Sequence, residues 1–194
     1  MKFGKYKMKL QDLFKKKSLA DYVIYASVLI AGIVIDQLTK LIVVKNMALH
    51  EHIPVIKFGD TVIASLYHTR NDGAAFGMLD SAPWIFNTVS TVAIIAMLAY
   101  LFLGHAESRL SGIALAMLVS GGLGNMIDRI SLKYVVDFIY LDVINFAVFN
   151  GADSFVCVGA GLLVLALILE MKNEVKKENA LKQSSASITK EDNE

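Results

Sequence analysis

Apolar residues are gathered into four long stretches, separated by segments rich in polar and charged residues. The stretches cover residues 19–41, 84–103, 110–127 and 153–169. The hydrocarbon core of a bilayer is about 30 Å thick, and an α-helix needs roughly 20 apolar residues to cross it. The pattern therefore predicts an all-α polytopic membrane protein with four transmembrane helices.

The first stretch has an alternative interpretation as a cleaved signal peptide, because several lysines precede it. A signal peptide ends in small residues at its cleavage site. Asp36 and Gln37 stand at that place instead. We therefore expect this stretch to be retained as a membrane span.

A second pattern, typical of strands, lies between the first two stretches. Residues 55–58 and 61–67 are rich in strand-forming residues, and Gly59 with Asp60 between them is a turn signal. Residues 134–138 and 143–149 are two further strand candidates. We expect a small extracytoplasmic β element built from these segments.

The composition agrees with a membrane protein. Of the 194 residues, 55% are apolar and 19% are charged, and the mean hydropathy is +0.53. A soluble domain has about 45–50% apolar and about 25% charged residues. With a net charge of +1 and one cysteine, the chain is not expected to be disordered, to bind nucleic acid or to depend on disulfides.

The positions of lysine and arginine predict the orientation, because cytoplasmic flanks of membrane spans carry an excess of both. Residues 1–18 contain seven lysines against the single acid Asp12, and Lys172, Lys176 and Lys177 come soon after the fourth stretch. Both termini are therefore expected in the cytoplasm. We divide the chain into a basic arm (1–18), a membrane domain (19–170) and a polar tail (171–194) expected to be disordered.

With this orientation, five polar clusters converge on the outer membrane face. Polar residues in or beside membrane spans are costly and are functional candidates by default. The clusters are Asp36 with Lys40, Asn71 alone, Asn125 with Asp128 and Arg129, Asp137 alone, and Asn150 with Asp153. Their convergence indicates one functional site at that face.

Structural roles are alternatives for several of these residues. Asp36 and Lys40 can form an ion pair at a helix end, with Lys40 extending to the interface. Asn150 and Asp153 can serve only to cap the fourth helix. Close helix packing is the expected role of the glycines at positions 121, 122 and 124.

Carboxylates are the best candidates for chemistry. Ser120 and Ser154 have no histidine near them in the sequence, and Cys157 lies within the fourth span. Apolar neighbours should raise the pKa of Asp137, whereas a helix N-terminus stabilises the charged form of Asp153. Two carboxylates in such unlike settings suit acid–base work on a shared water molecule.

These segments together resemble the lipoprotein signal peptidase family, also called signal peptidase II. The matching segments are Asp36-Gln-Leu-Thr-Lys40, Asn71-Asp-Gly-Ala-Ala-Phe76, Gly121-Gly-Leu-Gly-Asn-Met-Ile-Asp-Arg129, Val135-Val-Asp-Phe138 and Phe149-Asn-Gly-Ala-Asp153. They occur in the family's order and cover about residues 20–170. The basic arm and the polar tail lie outside the resemblance.

The resemblance implies an aspartic endopeptidase of the bacterial cytoplasmic membrane. The family removes signal peptides from prolipoproteins, just before a cysteine that carries a diacylglyceryl group. Globomycin-type cyclic peptides are implied as inhibitors, and no metal or organic cofactor is implied.

The resemblance also implies the roles of the site residues. Asp137 and Asp153 would be the catalytic pair. Residues that line or brace the substrate site would be Asn71, Asn125, Arg129 and Asn150, with Asp36 and Lys40 in support. Asp128 is the alternative for the first catalytic position, and it ranks second because an ion pair with its neighbour Arg129 would explain it.

A proton- or ion-coupled transporter is the alternative function. It predicts acids near the bilayer midplane, usually with broken helices or repeats. Here the acids gather at one face and the sequence contains no repeat. A non-catalytic scaffold gives no reason for five convergent polar clusters.

Overall fold

The computed structural model of the chain describes residues 17–72, 83–144 and 146–191, with residues 83–87 and 181–191 described as backbone only. Four helices are described: α1 (Leu19–Asn46), α2 (Pro83–Phe102), α3 (Arg109–Ser131) and α4 (Gly151–Glu191). Three strands accompany them, β1 (His52–Phe58), β2 (Thr61–Asn71) and β3 (Val135–Tyr140), together with a 3₁₀ segment, Asp142–Ile144. The basic arm up to residue 16 and residues 73–76 of the second motif lie outside the described residues.

Helix α3 is the centre of the bundle and packs against α1, α2 and α4. The starts of α1 and α3 lie side by side, as the hydrogen bond from Arg109 to Asp21 at 2.7 Å shows. The end of α2 is beside them, where the ring of Tyr22 stacks on Phe102. Helices α1 and α3 therefore run in one direction, and α2 runs in the other.

Close approach of the helices depends on small residues of α3. A side chain at Gly121 would overlap the main-chain oxygen of Ala152 in α4, and one at Gly124 would come within 2.5 Å of the Asp36 carboxylate in α1. Gly122 faces Ile94 of α2. The expected packing role of these glycines is confirmed.

Three of the helices are long and apolar enough to cross a membrane: α1, α3 and the first thirty residues of α4. In α2, the apolar segment that qualifies by composition is the shorter Thr88–Phe102. The described chain is thus mostly helical with three candidate membrane spans and one small sheet.

The three strands form one antiparallel sheet in the order β1-β2-β3. The predicted turn at Gly59–Asp60 is confirmed, and Gly59 has a φ of 59°, which glycine adopts without strain. The sheet packs on the end of α1 through a small core of Val43, Met47 and Phe138. The sheet therefore lies at the end of the bundle where α1 finishes.

The predicted strand over 143–149 is wrong. The chain forms the 3₁₀ segment there, and Phe149 makes an isolated bridge to Ile139. The carboxylate of Asp142 accepts a hydrogen bond from Ser65 at 2.7 Å, which holds the chain in this bend. Since α4 begins at Gly151, no further residues remain to extend the pairing.

The polar tail also differs from the expectation of disorder, because α4 continues through it as far as Glu191. The tail is rich in alanine, leucine, glutamate and lysine, which are strong helix formers. A segment that extends an existing helix needs no new nucleus. Residues 171–180 are exposed along this extension, so its order comes from the helix itself and not from a core.

Candidate active site

The five polar clusters of the sequence meet at one end of the bundle. Asp36 and Lys40 lie near the end of α1, Asn125, Asp128 and Arg129 lie near the end of α3, and Asn71 ends β2. Asp137 lies within β3, and Asn150 and Asp153 lie at the start of α4. The predicted convergence of these nine residues is therefore a feature of the fold.

Lys40 is the centre of a buried charge network. Its Nζ atom lies 2.8 Å from an oxygen of Asp36 and 3.0 Å from an oxygen of Asp128, and it donates to the side-chain oxygen of Asn125 at 3.0 Å. Only 3% of Lys40 is exposed. The ion pair with Asp36 is confirmed, but the expected extension of Lys40 to the interface is wrong, because this side chain points into the bundle.

Main-chain groups complete the coordination of the two carboxylates. The main-chain N–H of Ala152 donates to Asp36 at 2.8 Å, and that of Val136 donates to Asp128 at 3.1 Å. Buried charges are tolerated when they are paired and fully hydrogen-bonded. The network therefore joins α1 to α3, α4 and β3.

Gln37 belongs to this network, although the sequence analysis did not select it as a site residue. Its side-chain nitrogen donates to Asp128 at 2.9 Å and to the main-chain oxygen of Gly124 at 3.2 Å, and lies 3.1 Å from Asp36. A polar residue directly after Asp36 in an otherwise apolar stretch was the signal that could have identified it.

Asn150 and Asp153 form a reciprocal cap at the start of α4. The N–H of Asp153 donates to the side-chain oxygen of Asn150 at 3.0 Å, and the N–H of Asn150 donates to Oδ2 of Asp153 at 3.1 Å. The capping interpretation is thus confirmed. The cap uses only one atom of each side chain, so the side-chain nitrogen of Asn150 and Oδ1 of Asp153 are available for other partners.

These remaining atoms connect the cap to Asp137 and to α3. The side-chain nitrogen of Asn150 donates to Oδ1 of Asp137 at 2.7 Å, and Asn71 donates to Oδ2 of Asp137 at 3.0 Å. Asn125 donates to Oδ1 of Asp153 at 2.8 Å. Asn150 therefore contacts both carboxylates, and each carboxylate also accepts from a second asparagine.

The environment of Asp137 favours its protonated form. Only 2% of the residue is exposed. Burial raises the pKa of Asp137 to about 6; the hydrogen bond from Asn71 opposes this rise and the nearby charge of Asp153 adds to it. The predicted direction of the pKa shift is confirmed, and burial is its largest cause.

Asp128 has a different environment from Asp137. Its Oδ2 atom is held by Lys40 and the N–H of Val136, and its Oδ1 atom by Gln37. An ion pair with Lys40, on another helix, therefore explains Asp128, where the sequence analysis expected one with its neighbour Arg129.

Arg129 supplies a second positive charge at this end of the bundle. The residue is half-buried. It interacts electrostatically with Asp153, Asp137 and Asp128. Within the described part of the chain, no group of three or more His, Cys, Asp or Glu side chains is placed to hold a metal ion.

Comparison with known proteins adds a family to this geometry. Residues 28–169 match the family described as Signal peptidase (SPase) II. A lipoprotein signal peptidase of Halalkalibacterium halodurans is 39% identical over 159 residues, which are 81% of this chain and 99% of that protein. The lipoprotein signal peptidase of Bacillus subtilis is 39% identical over 157 residues, which are 80% of this chain and 99% of that protein.

Solved structures of bacterial membrane enzymes are also similar to this chain. A bacterial membrane enzyme structure at 2.3 Å resolution is 31% identical, with a TM-score of 0.68, and the match covers 82% of this chain and 94% of that one. A second, at 1.9 Å resolution, is 32% identical, with a TM-score of 0.63 over 76% of this chain and 92% of that one.

These matches decide between the functional alternatives of the sequence. They span most of the chain and consist of peptidases and membrane enzymes, so the transporter interpretation is not supported. Together with the apolar helices, they make this chain a membrane-embedded bacterial peptidase. The chain belongs to the signal peptidase II family.

Proposed function

We propose that this protein removes signal peptides from prolipoproteins as an aspartic endopeptidase, cutting just before the diacylglyceryl-modified cysteine. The observation that carries the proposal is the contact of Asn150 with both Asp137 and Asp153. It holds two carboxylates of unlike environment beside each other at one end of a membrane bundle. Such a pair can divide the work of acid and base on one water molecule.

In the proposed reaction, Asp153 acts as the base and Asp137 as the acid. Both oxygens of Asp153 accept hydrogen bonds, one from Asn125 and one from the N–H of Asn150, which orient the carboxylate. Asp153 takes a proton from water, and the water oxygen attacks the scissile carbonyl. Asp137, with its pKa raised to about 6, gives a proton to the developing oxyanion. When the intermediate collapses, Asp137 takes this proton back, the C–N bond breaks, and Asp153 passes the proton from water to the leaving amine.

The other polar residues support this pair. Asn71, Asn125 and Asn150 orient the carboxylates through the hydrogen bonds described above, and Arg129 supplies positive charge near developing negative charge. The buried network of Lys40 with Asp36 and Asp128 holds α1, α3 and β3 together beneath the pair. Asp128 therefore has a bracing role in this proposal, and Asp137 keeps the catalytic one.

We further propose four membrane spans, with α2 as the fourth, in the bacterial cytoplasmic membrane. The seven lysines of the basic arm and the lysines after residue 171 favour cytoplasmic termini. Since α1 starts at the arm and finishes beside the carboxylates, the active site then lies at the outer face. The peptidase domain is residues 19–170, with the arm and the tail as additions.

The acyl chains of the substrate anchor it in this arrangement. Each buried CH₂ group favours the bilayer by about 0.8 kcal/mol. Lipid chains in the outer leaflet hold the scissile bond at the depth of the carboxylates, and correct placement is worth orders of magnitude in rate. Globomycin-type cyclic peptides would compete for the same position.

The test compares one prolipoprotein with and without its diacylglyceryl group, using purified enzyme in detergent. We expect cleavage just before the lipidated cysteine and roughly 100-fold slower cleavage of the unmodified form. The activity should resist chelators and serine or cysteine reagents and should be blocked by globomycin. Equal rates on both forms would refute the anchoring role of the lipid, and no cleavage of either by folded enzyme would refute the proposed function.

A further inference from the structure

A cavity of about 270 Å³ lies between α2, α3 and α4, at the opposite end of the bundle from the carboxylate pair. Its apolar walls are Tyr100 of α2 and leucines of α3 and α4. Its polar lining consists of Glu107, Ser111 and Glu170. An apolar cleft that ends in carboxylates fits a cation carried on an apolar stem, such as the side chain of lysine or arginine.

The carboxylate of Glu170 lacks a partner for one of its atoms. Its Oε1 atom is fully buried and accepts no hydrogen bond from the residues that the structure describes. A buried polar atom left unsatisfied is costly, so it calls for a donor from outside the described chain. At the rim, the main-chain oxygen of Glu107 accepts a hydrogen bond from Lys17 at 3.0 Å, so an ammonium group is already accommodated there.

The distance between the cavity and the carboxylate pair is close to the length of a signal peptide. Ser111 lies fourteen residues before Asn125 on α3, and Glu170 lies seventeen residues after Asp153 on α4. At 1.5 Å per residue, about 21–26 Å separate the cavity from the carboxylate pair. A signal peptide has a basic first region, an apolar region of about 7–15 residues and then the cleavage site. A helical apolar region at the upper end of this range is about 22 Å long, and it therefore spans the shorter of these distances.

The helix arrangement leaves a path between the two sites. Helices α2 and α4 both pack along α3, and in the described part of the chain they scarcely contact each other. The face of α3 between them can therefore accept an apolar helix. Such a helix would begin at the cavity and end beside Asp137 and Asp153.

We propose that the cavity binds the basic first region of the substrate's signal peptide. The charged head group of a lysine or arginine would pair with the carboxylate of Glu170, close to the main-chain oxygen of Glu107 at the rim. The inference rests on the proposed function and adds a second contact site, at the cytoplasmic end of the bundle. The cleavage site and the basic region would then be held at once, which sets how far apart they must be in a good substrate.

The test measures KM and kcat of the full-length enzyme with two lipidated prolipoproteins that differ only in lysine or glutamine in the first region. We expect Glu170→Gln to raise KM for the lysine substrate about 5- to 10-fold without a change in kcat. The glutamine substrate should show the same rise with unaltered enzyme and no further rise with Glu170→Gln. Glu174→Gln, exposed one turn further along α4, is the matched control and should change nothing.

A charge exchange covers the case in which Glu170→Gln folds poorly. Glu170→Lys should cleave a substrate with glutamate in its first region better than one with lysine. Equal KM values of unaltered enzyme for the lysine and glutamine substrates would overturn the inference and leave the proposed function intact. A second outcome would also overturn the inference: Glu170→Gln raises KM equally for both substrates, and this rise disappears when residues 1–16 are deleted. Glu170 would then interact with the chain's own lysines and not with the substrate. No cleavage of either substrate by folded enzyme would refute the proposed function itself.

Discussion

Asn150 shows at the scale of a single residue how a structural role and a proposed catalytic role are combined. Its side-chain oxygen caps α4, while its side-chain nitrogen donates to Asp137 at 2.7 Å. An amide is suited to this position because it offers an acceptor and a donor on one planar group. A serine or an aspartate could cap the helix equally well but would offer Asp137 no amide donor.

The roles of the three acids lead to the first prediction. Asp137→Asn and Asp153→Asn should each reduce turnover on the order of 1000-fold or more, because an amide cannot exchange the proton. Asp128→Asn should act on stability, since it breaks a buried ion pair with Lys40, at a cost of about 3–5 kcal/mol. Turnover and thermal unfolding of the purified variants in detergent measure both effects. Near-normal turnover by folded Asp137→Asn, with none by folded Asp128→Asn, would contradict the assignment.

The raised pKa of Asp137 leads to a prediction about pH. The native carboxyl keeps its proton up to about pH 6, whereas the unfolded one loses it near 3.8. Because the native state binds more protons between these values, this group lowers the free energy of unfolding as pH rises from about 4 to about 6. A shift of this size corresponds to roughly 3 kcal/mol.

Asp137→Asn removes this contribution, which makes the pH effect measurable. The free energy of unfolding of the variant, minus that of the unaltered protein, should increase between pH 4 and pH 7. Denaturant unfolding in detergent at a series of pH values gives this difference, and Asp60→Asn in the exposed β1–β2 turn is the control. A difference that stays flat across this range would show that Asp137 titrates at its ordinary pKa.

At the scale of elements, contact between α3 and α4 determines where Asp153 lies. Gly121 meets the first two turns of α4, at Ala152 and Val156. The N–H of the same Ala152 donates to Asp36 of α1. A shift of α4 at this point would therefore move the start of the helix, with Asp153, relative to both neighbours.

Gly121→Ala tests this contact. The added methyl group would overlap the main-chain oxygen of Ala152 and come within 2.7 Å of the side chain of Val156. We expect a loss of about 1–3 kcal/mol in stability and a marked fall in cleavage rate. Gly161→Ala on α4 is the matched control, because nothing lies within 4 Å of its added methyl group. Equal stability of the two variants would show that α3 and α4 are not closely packed at Gly121.

At the scale of the whole molecule, the two ends of the bundle have opposite character. One end contains the carboxylate pair and the sheet, and the other contains the cavity and the ion pair of Arg109 with Asp21. The proposed orientation puts the first end outside and the second in the cytoplasm. Substrate contacts at both ends would then lie on opposite sides of the membrane.

A pair of reporters tests this orientation. A reporter joined after Lys177 should be active only on the cytoplasmic side, since lysines flank the last span. The same reporter inserted at the turn Gly59–Asp60, an exposed loop tip, should be active only outside. Cytoplasmic activity at the turn, or external activity after Lys177, would contradict the proposed topology.

The local pattern of the sequence was sufficient to predict most of the elements. Length and apolar content are properties of short segments, so the helices, the turn at Gly59–Asp60 and the first three strands could be recognised from neighbouring residues. The five motifs identified the nine candidate residues for the same reason. The segment 143–149 was mispredicted because the chain bends through the 3₁₀ segment Asp142–Ile144 and pairs with β3 only at Phe149. The tail was mispredicted because helix propensity alone was enough to continue α4.

The partners of each polar atom depended on contacts between residues far apart in the chain, and no local pattern contains them. The N–H of Ala152 reaches Asp36 across 116 positions, and Gln37 reaches Asp128 across 91. Lys40 was expected at the interface, but burial among three acceptors turned it into the bundle. Asp128 and Asp137 are both acids near the outer end in the sequence. What distinguishes them is packing: a lysine from α1 forms a buried ion pair with Asp128, while Asp137 is buried, accepts hydrogen bonds from Asn71 and Asn150, and has a raised pKa.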